Sequence, residues 1–133
     1  MSALTVQQLL NLKPSQTMTI SGAASLQDAL EKMGRLTISS LLVIEDGKLL
    51  GIISERDYIR KAVPRRLAPW DITVSELMTR DVVSVRGDDS VKTCMDLMCT
   101  KRIRHLPVVA GETVVGVISI TDVLSAVRAA GNE

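Results

Sequence analysis

Apolar and polar positions along this chain change period several times, and each change marks an element. Met18-Thr19-Ile20 reads as a short strand. Ser25 is placed to cap a helix whose apolar face is Leu26, Ala29, Leu30 and Met33, with Gly34 suited to its end. Leu41–Ile44 is a continuous apolar run of strand length, and Asp46-Gly47 is a hairpin turn signal. Leu49–Ile53 is the returning strand. Ser54 then opens a second helix carrying Tyr58, Ile59 and Ala62. The order is β-α-β-β-α.

The same pattern returns downstream. An offset of 65 residues places Gly22 on Gly87, Ser25 on Ser90, Met33 on Met98, Gly51 on Gly116, Ser54 on Ser119 and Asp57 on Asp122. It holds without a gap from about Met18 to Ala62. The second unit therefore predicts strands at Val82–Val85, Leu106–Val109 and Val114–Ile118, with helices at Val91–Met98 and Thr121–Ala129. A looser echo at an offset of 68 precedes each unit, Val6–Leu10 matching Val74–Met78, and predicts a short leading helix. Pro64–Trp70, with two prolines, is the linker. The expected organisation is residues 1–68 as repeat one with its leading helix and 69–133 as repeat two with its own. The expected fold class is α+β, two β-α-β-β-α repeats packed sheet to sheet with pseudo-two-fold symmetry around one shared core.

Composition narrows the picture. Aromatics make up 2% of the chain and there is no Phe, so the core must be aliphatic. A net charge of +1 from 16 basic and 15 acidic residues supplies no field to steer a polyanion, which disfavours nucleic acid and membrane surfaces. Cys94 and Cys99 point about 140° apart on one helix, so they predict reduced thiols and neither a disulfide nor a metal pair. Met1-Ser2-Ala3-Leu4 carries neither a basic nor an apolar leader pattern, and no apolar run reaches membrane-span length, so the expectation is a cytoplasmic protein.

One motif occurs at both strand-to-helix junctions: Gly51-x-x-Ser54-x-x-Asp57 and Gly116-x-x-Ser119-x-x-Asp122. A helix start presents unpaired N–H groups that suit a phosphate, and an Asp one turn in can accept from a ribose diol. The competing reading is a capping box, with Ser and Asp serving only the helix. A basic run, Lys101-Arg102-Ile103-Arg104-His105, has the uncharged counterpart Leu36–Ser40 in the first repeat. Its cations either complement a helix C-terminus or reach a phosphate, and Arg104 is the candidate, with Arg56 second. His105, the single histidine, reads as structural. No P-loop, dinucleotide fingerprint, metal-ligand cluster or nucleophile-base set is present in the sequence, so catalytic and metal residues are assigned to none.

Gly51–Asp57, Gly116–Asp122 and Arg102–Val109 together resemble the signature motifs of CBS domains. The resemblance spans about Thr5 to Ala129 and is to a stand-alone pair of such domains. It implies two clefts between stacked repeats, ligands such as AMP, ADP, ATP, NAD(H) or S-adenosylmethionine, and a disc-like homodimer. Carried over residue by residue, one cleft uses Asp122, Ser119, Thr121, Arg104 and Val117 with Thr17, Met18, Ile38 and Ser39. The other uses Asp57, Ser54, Arg56 and Ile52 with Val82, Val83 and Ile103. The first is favoured. Thr121 stands where relatives often carry Gly, and Leu42 stands opposite Pro107. The implied function is an adenine-nucleotide sensor, AMP favoured, with no obligatory cofactor. It has no activity of its own and signals to an unknown partner protein or through its oligomer. The alternative is a ligand-free interaction scaffold. A nucleic-acid binder and a nucleotide hydrolase are the weaker rivals.

Overall fold

The computed structural model describes residues 4–12 and 18–131. In chain order the elements are α1 (Val6–Leu12), β1 (Thr19–Ile20), α2 (Leu26–Leu36), β2 (Ser40–Glu45), β3 (Lys48–Ser54), α3 (Glu55–Asp57), a π-helical segment (Tyr58–Ala62) and a 3₁₀ turn (Pro69–Asp71). Then follow α4 (Val74–Leu77), β4 (Val85–Arg86), α5 (Val91–Lys101), β5 (His105–Ala110), β6 (Thr113–Ser119) and α6 (Ile120–Gly131). The class is α+β.

The two repeats are built alike down to hydrogen-bond register. β1 runs parallel to β2, which pairs antiparallel with β3, Ser40 facing Ser54. β4, β5 and β6 repeat this, His105 facing Ser119. The register shifts at the same place in each hairpin, between Val43 and Ile44 and between Val108 and Val109, so Leu50 of β3 and Val115 of β6 are the extra, bulged residues. The Asp46-Gly47 loop has φ of 51° and 79° at its two residues, both positive as a two-residue type I′ hairpin requires. Ser25 and Ser90 cap their helices, accepting from Asp28 N–H and Thr93 N–H at 3.0 Å each.

The structure departs from the sequence reading at several points. Gly34 lies inside α2, which closes at Leu36 on Thr37 in the left-handed region (φ 56°), while the Ile38 N–H returns to the Met33 carbonyl at 3.0 Å. Val82 and Val83 precede β4, which holds only Val85 and Arg86. The second helix of repeat one breaks into α3 and the π segment, where Val63 N–H reaches back five residues to Tyr58. Pro64 has no N–H with which to continue an α-helical ladder. Repeat two carries no proline there, and α6 runs as one α-helix.

The chain forms two compact units, Met18–Val82 and a second made of Met1–Thr17 with Val83–Glu133. Each has its own buried aliphatic cluster. One contains Leu26, Ala29, Met33, Leu41, Val43 and Ile53; the other contains their repeat counterparts Val91, Cys94, Met98, Leu106, Val108 and Ile118. The buried side chains thus form two clusters, where one shared core was expected. Neither leading helix stays with the repeat that follows it in sequence. Val6 and Leu9 of α1 are buried with the second repeat, and Val74 and Leu77 of α4 with the first.

Matching backbone bonds fix this exchange. Val6 N–H donates to Asp89 O (2.8 Å), Gln7 N–H to Gly87 O (2.9 Å), and Val91 N–H to Leu4 O (2.9 Å). Val74 N–H donates to Ala24 O (2.8 Å), Ser75 N–H to Gly22 O (2.9 Å), and Leu26 N–H to Ile72 O (2.9 Å). The first turn of each leading helix has N–H groups without intrahelical acceptors, and the loop before the other repeat's first long helix supplies them. The buried apolar positions of α1 and α4 then complete the clusters of α5 and α2.

Candidate functional site

In each repeat the hairpin delivers a Ser at the end of its second strand, and the chain turns there into a helix. Ser54 and Asp57 form a reciprocal cap: Asp57 N–H donates to Ser54 Oγ (3.2 Å) and Ser54 N–H to Asp57 Oδ2 (2.9 Å). Ser119 and Asp122 do the same at 3.1 and 3.0 Å. The capping-box reading of the motif is therefore physically present in both copies. Gly51 has a steric reason as well. A Cβ there would lie 2.6 Å from Thr79 O and 2.8 Å from Met78 Sδ.

Beyond the cap the two copies differ. Asp57 is buried, 6% exposed, and its carboxylate has further donors. Ser54 Oγ donates to Oδ2 (3.0 Å), Thr79 Oγ1 to Oδ1 (3.0 Å), and Lys61 Nζ lies 2.9 Å from Oδ1. Lys61 Nζ also donates to Leu77 O (3.0 Å) and Thr79 Oγ1 (3.3 Å). Sequence reasoning missed Lys61 and Thr79. Lys61 was legible as the i,i+4 partner of Asp57, matched by Ala126 in the second repeat. Thr79 was not legible, because it lies 22 residues away and arrives with the exchanged helix α4.

Asp122 is half-buried at the start of α6, a helix of 12 residues. The Arg104 carbonyl accepts from Ile120 N–H at 2.8 Å, which anchors Arg104 beside the same turn and leaves its side chain exposed. His105 pairs in register with Ser119. Partial desolvation and the neighbouring Arg104 charge hold the His105 imidazole below its ordinary pKa of 6.5, and the Asp122 charge opposes them. Arg104, His105, Ser119 and Asp122 therefore share one neighbourhood. The first-repeat equivalents of Arg104 and His105 are Ser39 and Ser40.

The remaining sequence candidates fall as follows. Thr121 is exposed, and Val117 and Ile103 are half-buried in the same unit as Asp122, as is Val83. Met18, Ile38, Ser39, Ile52, Arg56 and Val82 belong to the unit of Asp57. Met18 O accepts from Leu42 N–H (3.1 Å), and Ser39 O accepts from Glu55 N–H (3.0 Å). Ile52 exchanges both backbone bonds with Thr79, and the Arg56 side chain is exposed. Thr17 lies outside the described residues. Among the described residues no group of three or more His, Cys, Asp or Glu side chains is arranged to hold a metal ion, and no helix is long and apolar enough to cross a membrane.

Comparison with known proteins is consistent along the chain. The sequence model of the CBS domain matches residues 13–63 and 74–129. A mitochondrial CBS domain-containing protein of Arabidopsis thaliana, CBSX3, is 35% identical over 105 residues, which is 75% of this chain and 51% of that protein. The chain thus spans about half the length of this curated relative. A solved structure of a signal-transduction protein with CBS domains from Burkholderia ambifaria is 38% identical, with a TM-score of 0.85 over 94% of each chain. A hexameric CBS-CP12 protein from bloom-forming cyanobacteria is 28% identical, with a TM-score of 0.77 over 93% of this chain and 68% of its own.

Proposed function

Because the chain belongs to the CBS-domain family, whose paired domains are regulatory modules that often bind nucleotides, we propose that it is an adenine-nucleotide sensor using the second-repeat motif. The carrying observation is the neighbourhood of Ser119, Asp122, Arg104 and His105 at the start of α6. Asp122 supplies a carboxylate for a ribose diol. The N–H groups of a 12-residue helix and the Ser119 and Thr121 hydroxyls face a phosphate, and the exposed guanidinium of Arg104 adds bidentate charge. Val117, half-buried on β6, offers an apolar edge for a base. The family pattern would add Thr17, Met18, Ile38 and Ser39 to this set, and it assigns Val82, Val83 and Ile103 to the set of Asp57.

AMP is the favoured ligand, with ADP, ATP, NAD(H) and S-adenosylmethionine as the other members of the class. None is an obligatory cofactor, and the module carries out no reaction. Binding acts by its differential affinity for two states, which are read by a partner protein or by the homo-oligomer itself. A dimer is the proposed assembly; the cyanobacterial relative shows that such chains also form hexamers. The proposed compartment is the cytoplasm.

Thermal unfolding against AMP, ADP, ATP, NAD⁺, NADH and S-adenosylmethionine, with GTP as control, tests the reading. A ligand at a hundred times its Kd adds about 2.7 kcal/mol, a shift of several degrees for a domain of this size. Asp122→Ala removes that shift. If no adenine ligand moves the midpoint at millimolar concentration, the sensor reading falls and the chain is an interaction scaffold. ATP hydrolysed over hours by purified protein would contradict the absence of catalysis.

A further inference from the structure

The first-repeat copy of the motif holds a complete set of internal partners. A carboxylate has about four lone-pair sites, and Asp57 receives four donors: Ser54 N–H and Ser54 Oγ on Oδ2, Thr79 Oγ1 and Lys61 Nζ on Oδ1. Lys61 in turn has three N–H donors and three acceptors within reach, Asp57 Oδ1, Leu77 O and Thr79 Oγ1. Thr79 Oγ1 donates to Asp57 and accepts from Lys61. The network closes on itself around a carboxylate that is 6% exposed.

A ribose hydroxyl arriving at Asp57 would have to displace Thr79 or Lys61. That displacement would break the closed set around the buried Asp57 carboxylate, at a half-buried Thr79 hydroxyl or the partly exposed Lys61 ammonium. The helix behind the motif is also different. α3 passes after three residues into the π segment Tyr58–Ala62, where α6 runs as one α-helix of 12. Ala126 occupies the place of Lys61 in the second repeat, so the same Lys-based network cannot form there.

Resting on the reading that a nucleotide is bound at the Asp122 motif, we propose that Lys61 and Thr79 convert the Asp57 motif into an internal staple. Lys61 takes the position a ligand would need. Asp57 ties the end of β3 to α4 and the residues after it, and the chain takes one nucleotide, at Asp122 alone.

Two measurements on the full chain test this. Isothermal titration with AMP and with ATP gives one nucleotide per chain, and Asp122→Asn abolishes all binding. A stoichiometry of two overturns the proposal. So does a residual site in Asp122→Asn that disappears when Asp57→Asn is added. The staple itself is tested without ligand by a double-mutant cycle in thermal unfolding. Asp57→Asn and Lys61→Met each lower Tm by about 5–10 °C, and the double variant falls no further than the worse single one. Additive losses overturn the staple, and Thr79→Val gives an independent entry to the same cycle if Asp57→Asn does not fold. If the wild-type chain binds no nucleotide, it is the sensor reading that fails, and the cycle alone decides whether Asp57 is held as a staple.

Discussion

Replacing Val6 by Ala tests the exchange of the leading helices. Val6 is fully buried against the second-repeat cluster, which includes Val85, Val91 and Val108. Losing two carbons removes about 1.6 kcal/mol of transfer free energy at about 0.8 kcal/mol per carbon. The unfilled space raises this to about 2.5 kcal/mol. Ala is the better helix former by about 0.5 kcal/mol, so the net loss is about 2 kcal/mol. Amide hydrogen exchange read segment by segment is the assay, because units of a protein open with their own free energies. A loss of 2 kcal/mol speeds exchange about 30-fold wherever opening of that unit limits it. The acceleration falls on β5, β6 and α5, which lie far from Val6 in sequence. Val74→Ala, at the matching position of α4, gives the converse pattern, with β2, β3 and α2 accelerated. If Val6→Ala accelerates β2 and β3 more than β5 and β6, the leading helix belongs to the repeat it precedes and the assignment of units is wrong.

Three further outcomes follow from single groups. Thr37→Gly removes a β-branched residue from the left-handed region (φ 56°) and raises stability by about 1 kcal/mol, read as a higher Tm; a fall would show that the Thr37 side chain outweighs its strain. His105 is held below its ordinary pKa of 6.5 in the folded chain. The unfolded chain therefore binds more protons once pH falls through 6.5, and stability declines from there downward. His105→Gln flattens that decline in denaturation midpoints measured from pH 7.5 to 5, and an unchanged slope would assign it to other groups. Burial raises the Cys94 thiol to about 11, while Cys99 is exposed. Native protein at pH 8 thus takes up one equivalent of a thiol reagent and unfolded protein two, and rapid labelling of both in the native state would contradict the packing of Cys94.

Much of the candidate site was legible from position alone. The offset of 65 residues put Ser54 and Ser119, then Asp57 and Asp122, at equivalent junctions, and the structure shows the same cap at both. The contrast between Arg104-His105 and Ser39-Ser40 was equally plain in the sequence. The difference between the two carboxylates was not, since Thr79 reaches Asp57 across 22 residues. The π segment after Asp57 also escaped notice, although Pro64 marked where the helix had to change.

The order of the strands and long helices, and the face each buries, were determined by the sequence by itself. Alternation and three-four spacing state which side of a strand or helix must leave water, and a gapless duplication leads the second repeat to copy the first, down to the bulge beside Gly51 and Gly116. Only the tertiary structure decided what each buried face meets. Val6 and Val74 are apolar in the same pattern, and nothing local says which cluster takes which. The structure pairs α1 with the carbonyls of Gly87 and Asp89, and α4 with the repeat-equivalent carbonyls of Gly22 and Ala24. It also decided that Asp57 has a full set of internal donors, because the exchanged helix brings Thr79 to it. Periodicity records how much apolar surface a segment must bury, whereas the identity of a partner depends on contacts between residues far apart in the chain.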